Sequence, residues 1–124
     1  MNLQSIDPEV FLLLQRELLG DGRCDSDVSD EGLLDAAFAY PLHHAVMRHA
    51  DVADLAAAYA IGILRYRPFV VGNESAALLA MGLFLYLNDW ELSAPQEEAA
   101  RIIWQASAAN LDEDELADWI RQNL

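Results

Sequence analysis

The segment from Arg67 to Ser75 holds the side chains whose types and order bear most directly on chemistry. It reads Arg-Pro-Phe-Val-Val-Gly-Asn-Glu-Ser and leads into an apolar run, residues 76–87. The start of a helix attracts anions, because its first backbone N–H groups have no partner inside the helix. Arg67 cannot act as a base, since a guanidinium stays protonated, and Val71 offers no oxygen to a hard cation. Glu74 places negative charge at the predicted helix start, where it stabilises the helix and repels an anion.

The other polar and aromatic residues of this segment have structural interpretations. Ser75 offers one hydroxyl group but no charge. We expect Phe69 to anchor the segment in the core, and Gly72 to adopt a backbone conformation that is costly for other residues. Asn73 is predicted to cap the helix that follows.

The three histidines, His43, His44 and His49, do not form a metal-binding pattern. Their separations are one, five and six residues, whereas two ligands on one helical face are about three or four residues apart. No cysteine lies near them in the sequence. We therefore predict no metal site, and interpret these residues as polar side chains of a loop.

Composition favours a single globular domain over residues 1–124 and argues against several kinds of partner. The chain is 54% hydrophobic, carries a formal net charge of −14 and contains no lysine. Such a charge repels nucleic acids and anionic membranes. The longest apolar run is too short to span a bilayer, and no signal peptide is recognisable. The single cysteine permits no internal disulfide, which leads us to expect a cytoplasmic protein.

Helix signals dominate the first half of the chain. Asp7 followed by Pro8 predicts an N-cap and the first helical residue. A second helix is predicted to begin near residues 29–30 and to end before Pro41, with residues 42–50 forming a loop or flap. A third helix is predicted over residues 51–66, since a proline at 68 disfavours helix just before it.

The second half of the chain predicts three more helices. The first begins near Asn73 and continues to Leu87; because it is apolar on all sides, we expect it to be the buried central helix. Ser93 with Gln96 predicts a capping box for a helix to about residue 108, and a second box at 112–115 starts the last helix. We therefore predict an all-α fold of about six helices.

Residues 67–75 resemble the signature of the Fic/Doc (Fido) family, most closely its death-on-curing (Doc toxin) members. That signature runs His-x-Phe-x-Asp/Glu-Gly/Ala-Asn-Lys/Gly-Arg. Phe69, Gly72 and Asn73 match it. Four residues depart from it: Arg67 replaces the general-base histidine, Val71 the metal-binding acid, and Glu74 and Ser75 the basic residues that hold phosphates.

Further likeness at residues 30–37, 55–59 and 84–88 extends the resemblance over roughly residues 28–123. It implies a Fido-type bundle around a central helix at about 74–87.

The resemblance implies two functional hypotheses. Active members transfer AMP, or in Doc the terminal phosphate, from a nucleotide to a protein hydroxyl group. The first hypothesis is a catalytically degenerate protein that binds or regulates another protein, with no catalytic residue, no cofactor and no metal. It includes a possible relation to toxin–antitoxin systems. The alternative is an active transferase that uses ATP with Mg²⁺ in a rearranged site. A third interpretation is that the likeness is coincidental.

The first hypothesis requires a protein partner, either an antitoxin-like protein or a target. In the family the flap lies over the active site, and an antitoxin helix docks beside it. The candidate contact residues are therefore His43, His44 and His49 in the predicted flap, together with Arg67 at the mouth of the site.

Overall fold

The computed structural model describes residues 3–18, 28–47 and 50–124, except for the side chains of residues 44, 46 and 47. The described chain forms six helices: α1 (Pro8–Leu18), α2 (Glu31–Met47), α3 (Val52–Tyr66), α4 (Asn73–Leu87), α5 (Gln96–Ser107) and α6 (Glu113–Gln122). No β-strand occurs within these residues; an isolated bridge joins Val28 to Phe69. The predicted all-α fold is confirmed. None of the described helices is long and apolar enough to cross a bilayer.

Two helices begin at capping boxes; the sequence predicted the box at Asp112 and Glu115, and at Asp51 it predicted the helix start alone. The Asp51 side chain accepts a hydrogen bond from the Asp54 N–H at 2.8 Å, and the Asp54 side chain accepts one from the Asp51 N–H at 3.1 Å. Asp112 and Glu115 make the same reciprocal pair at 2.8 and 3.0 Å. These bonds satisfy N–H groups that the first turn of a helix leaves free. The predicted starts of α3 and α6 are thus confirmed.

The predicted capping box at the start of α5 is wrong. The N-cap of α5 is Pro95, which makes no side-chain capping bond. Ser93 instead donates both its backbone N–H and its hydroxyl to the Asn123 carbonyl oxygen, each at 2.7 Å. The serine is therefore used to fasten the chain before α5 to the end of α6.

Helix α2 does not end before Pro41, as predicted, but continues to Met47. Part of the segment predicted as a loop or flap is therefore helical, and its residues 48–49 lie outside the described chain. A proline inside a helix removes the N–H that would reach the carbonyl four residues earlier, here that of Ala37. That carbonyl faces Gly62 of α3: a Cβ added to Gly62 would lie 2.5 Å from the Ala37 oxygen. A Cα–H of Gly62 thus points at the Ala37 carbonyl oxygen, which has lost its usual N–H donor because residue 41 is proline. Such a contact is weak but favourable.

The most enclosed helix is α3, rather than α4. Ala53 and every residue from 55 to 64 are buried, and α3 packs against α2, α4, α5 and α6. The apolar run of α4 does form a helix of the core, as predicted, but it buries only one face. On its other face Tyr86 is 75% exposed. The sequence of α4 is thus apolar all round because one face is buried in the core and the other carries exposed apolar side chains.

Aromatic rings join four helices and the loop before α4 into one core. The Phe11 ring of α1 lies 5.2 Å from the Phe38 ring of α2 and 6.4 Å from the Phe69 ring. The Tyr59 ring of α3 lies 6.0 Å from Phe38 and 5.0 Å from the Phe84 ring of α4. Phe69 is 2% exposed, so it is a core anchor, as the sequence predicted.

Candidate functional site

The candidate site is the loop between α3 and α4, and it begins with a left-handed residue. Arg67 has φ 45° and ψ 61° and donates its N–H to the Ile63 carbonyl oxygen at 2.8 Å. This conformation ends α3 and turns the chain towards α4. It is uncommon for a residue other than glycine. The left-handed backbone of Arg67 is therefore explained by its position at the end of α3.

Asn73 holds the loop in shape, which differs from its predicted role as a helix cap. The N-cap of α4 is Gly72, with φ 79°, and Asn73 is the first helical residue. The Asn73 Oδ1 accepts the Phe69 N–H at 3.0 Å, and its Nδ2 donates to the Phe69 carbonyl oxygen at 3.1 Å. Since Asn73 is 2% exposed, both bonds lie away from water. The predicted need for glycine at 72 agrees with its positive φ.

The chain before α2 holds the same loop from the other side. Ser29 donates its backbone N–H, at 2.8 Å, and its hydroxyl, at 3.1 Å, to the Pro68 carbonyl oxygen. Val28 forms the isolated bridge with Phe69. The loop is therefore fixed at two adjacent residues, Pro68 and Phe69, by one segment that is distant in the sequence.

Glu74 is the charged centre of the site and is bonded to two side chains of the same protein. Its Oε2 accepts a hydrogen bond from the Arg67 Nη1 at 3.0 Å and from the Ser107 hydroxyl at 2.8 Å. The Glu74 side chain is 13% exposed, against 49% for Arg67. Burial raises the pKa of the Glu74 carboxyl, but the bonds from Ser107 and Arg67 outweigh it and hold the pKa below the ordinary 4.5. The carboxylate is thus a weak base at neutral pH, fixed at the N-terminus of α4.

The remaining residues of the loop face the solvent. Val70 is 60% exposed and Val71 is 49% exposed, and Ser75 is exposed on the first turn of α4. Neither valine offers a polar atom beyond its backbone. The loop therefore presents apolar side chains beside the Arg67–Glu74 ion pair.

Replacing Glu74 with glutamine is expected to make stability less dependent on pH. Because the folded pKa is depressed, the Glu74 contribution is present above the unfolded pKa and is lost as pH falls through the folded value. The Glu74→Gln variant should lose less than about 1 kcal/mol at neutral pH, since Arg67 is half exposed. The difference from the wild type should begin to shrink near the ordinary pKa and vanish only below the depressed pKa of the folded state. Urea unfolding at neutral and acidic pH measures it.

Glu97→Gln is the matched control for this experiment. Glu97 is the second residue of α5, as Glu74 is of α4, but it is exposed. Removal of a helix-start charge affects both variants, so only the Glu74 variant should also lose the charge that strengthens the bonds from Arg67 and Ser107. Equal pH profiles for the two variants would contradict the role of this ion pair.

The structure separates the two sets of contact residues that the sequence suggested. His43 is exposed on α2, the side chain of His44 is not described, and His49 lies outside the described residues.

Leu42 and Ala45, on either side of His43 and His44, line a cavity of about 370 Å³ together with Phe84, near the end of α4. Arg67 instead contacts Glu74 at the start of that helix, roughly 15 Å away at 1.5 Å per residue.

Sequence reasoning missed the partners that complete the site. Ser107 is 33 residues from Glu74, and Ser29 is 39 residues from Pro68. No spacing rule marks either serine, because both contacts arise when separate helices pack. Among the described residues, no three histidine, cysteine, aspartate or glutamate side chains cluster as metal ligands would.

The comparison with protein-family models agrees with this geometry. The model of the Fic/DOC family matches residues 5–85, about two thirds of the chain, and this range includes the loop and most of α4. A search of curated proteins gave no significant match to the chain. Because the family model covers α1 to α4 with the loop that carries the signature, the chain belongs to the Fic/DOC family.

Proposed function

We propose that this protein is a catalytically degenerate Fic/DOC protein that works by binding another protein. One observation carries the proposal: the start of α4 is occupied by the chain's own carboxylate. The Glu74 side chain accepts bonds from Arg67 and Ser107 where an anionic substrate would meet the N-terminus of the helix. The Arg67 guanidinium and the Ser107 hydroxyl, which could donate to a substrate phosphate, thus donate to Glu74 instead.

The residues of the loop fit a nucleotide with a metal ion poorly. Phosphate would lie beside the negative charge of Glu74, which costs free energy at short range. Val71 has no side-chain oxygen, which Mg²⁺ requires of its ligands, and Arg67 cannot remove a proton from a hydroxyl group. The loop therefore lacks the metal ligand and the base that transfer of a group from ATP with Mg²⁺ would need.

The structural part of the signature is intact, which supports a retained binding role. Asn73 clamps the Phe69 backbone, and Gly72 supplies the positive φ. The framework thus holds the loop in one shape although its chemical groups have changed. Val70 and Val71 are exposed beside it, and exposed apolar side chains are common at protein interfaces. Arg67, half exposed, stays a candidate contact residue there.

Calorimetric titration with ATP and Mg²⁺ or Mn²⁺ tests the degenerate site. We expect no micromolar binding to the wild type. A variant with Arg67→His, Val71→Asp, Glu74→Lys and Ser75→Arg should bind at least about tenfold more tightly, because each charge-assisted bond to phosphate contributes roughly 1.5–3 kcal/mol. Glu97→Lys, at the same position of α5, controls for adding positive charge to a helix start.

Two results would overturn this proposal. One is metal-dependent, micromolar ATP binding by the wild type. The other is transfer of AMP or phosphate from a nucleotide to a protein hydroxyl group by the purified chain, detected by mass spectrometry. Either would favour an active transferase with a rearranged site.

A further inference from the structure

An exposed apolar surface lies at the end of α4 opposite the candidate site. Tyr86 is 75% exposed, Trp90 45% and Leu87 39%. Together with Gly82, Asp89 and Glu91 they line an open groove of about 790 Å³; we call this the Tyr86 surface. Scattered apolar residues are ordinary on proteins, whereas a contiguous exposed apolar patch is typical of an interaction surface.

The groove exists because a glycine stands in the exposed face of α4. A Cβ at Gly82 would meet no atom within 4 Å, so the space above this residue is open. Tyr86 follows four residues later and therefore lies on the same helical face. The ring of Tyr86 borders a gap that a side chain from another molecule could enter.

The far wall of the groove is held by the turn that ends α4. Asp89 is left-handed, with φ 65°, and Trp90 donates its backbone N–H to the Leu85 carbonyl oxygen at 2.8 Å. These features place Trp90 against the end of the helix. A surface that is fixed before binding loses less conformational entropy when a partner docks.

The charge of the surface selects among possible occupants. Asp89 and Glu91 line the groove, and no arginine is among its described lining residues. The whole chain carries −14, so a second copy and an anionic membrane are both repelled. A partner with basic residues is attracted, and its cations could also lie over the faces of the exposed aromatic rings.

We propose that the Tyr86 surface binds a basic, amphipathic segment of a partner protein. An apolar side chain of that segment would fill the gap above Gly82, between Tyr86 and Trp90. Arginine or lysine side chains would pair with Asp89 and Glu91. The inference rests on the protein-binding role proposed above and specifies the class of partner.

Nuclear magnetic resonance of the tryptophan indole N–H groups tests the proposal in the full chain. The probe is a synthetic amphipathic peptide of leucine and arginine; a leucine–glutamate peptide and an arginine–serine peptide are the comparisons. The Trp90 signal should shift with the leucine–arginine peptide alone. Trp104, which is 61% exposed on α5, is an internal control and should not shift, and Trp119 should behave like Trp104.

Two variants connect the binding to the groove itself. Tyr86→Ser removes an exposed ring, and Gly82→Leu puts a side chain into the gap, where an added Cβ would meet no atom within 4 Å. Each should weaken peptide binding at least about tenfold, while Trp104→Ser should leave it unchanged. Because all three positions are exposed, circular dichroism should show a folded chain in each case.

Several outcomes would overturn the inference. These are no shift of Trp90, equal shifts of Trp90 and Trp104, or equal binding of the arginine–serine peptide, which would indicate unspecific attraction to an acidic chain. Sedimentation showing a dimer that Tyr86→Ser dissociates would identify the occupant as a second copy. Nucleotide binding in the calorimetric experiment would defeat the degenerate-site proposal without moving the Trp90 signal, so the two failures are distinguishable.

Discussion

Replacement of Asn73 by alanine is expected to destabilise the protein by about 2–4 kcal/mol. The substitution leaves the Phe69 N–H and carbonyl oxygen without their partners at 3.0 and 3.1 Å. A buried polar group that loses its hydrogen bond costs about 1–3 kcal/mol, and alanine supplies neither a donor nor an acceptor in its side chain. The loop should then lose its fixed shape. Urea unfolding measures the loss of stability.

Hydrogen exchange of the Phe69 amide gives a local test of the same substitution. In the wild type the Asn73 side chain protects this N–H, and in Asn73→Ala it should exchange faster. Ser75→Ala is the control, since Ser75 is exposed two residues later on the same turn and should change stability by less than about 0.5 kcal/mol. Unchanged stability and Phe69 exchange in Asn73→Ala would show that the clamp does not hold the loop.

Gly62→Ala is expected to destabilise the protein by about 1–3 kcal/mol, although alanine favours helices. The new Cβ would lie 2.5 Å from the Ala37 carbonyl oxygen, which is backbone and cannot rotate away. Helix α2 must then move from α3, and such overpacking costs about this amount. The gain in helix propensity, up to about 1 kcal/mol, is smaller. Thermal or urea unfolding measures the net effect.

Gly82→Ala is the matched control, because it adds the same methyl group to a neighbouring helix. At Gly82 no atom lies within 4 Å of the added Cβ, so the helix propensity gain is uncompensated. This variant should be more stable than the wild type by roughly 0.5–1 kcal/mol. If both alanine variants were stabilised alike, α2 and α3 would not be in the close contact described.

Local rules allowed the sequence to determine much of the fold. Asp51 and Asp112 each have an acidic residue three positions later, and a capping box needs no other part of the chain. Pro68 likewise ends α3 through its effect on the residues just before it. The family was also visible in sequence, because Phe69, Gly72 and Asn73 keep their order and spacing.

Contacts between distant residues decided the rest of the fold. Ser93 matched a capping pattern, yet it bonds to Asn123, 30 residues away. Pro41 predicted a helix end, yet α2 continues past it, and the carbonyl that loses its usual donor lies against Gly62. In each case a contact with a distant element, which the local pattern does not contain, accompanies the observed structure.

The candidate site shows the same division. Residue types alone established that Arg67 cannot be a base and that Glu74 repels phosphate at a helix start. The contacts between the Ser107 hydroxyl and the Glu74 carboxylate, and between the Asn73 amide and the Phe69 backbone, are visible only in the tertiary structure. In that structure His43 also lies apart from Arg67, and Tyr86 is exposed on a helix that the sequence predicted to be buried. The physical reason is that residue type fixes what a side chain can donate, accept or repel, whereas the packing of helices decides what it meets.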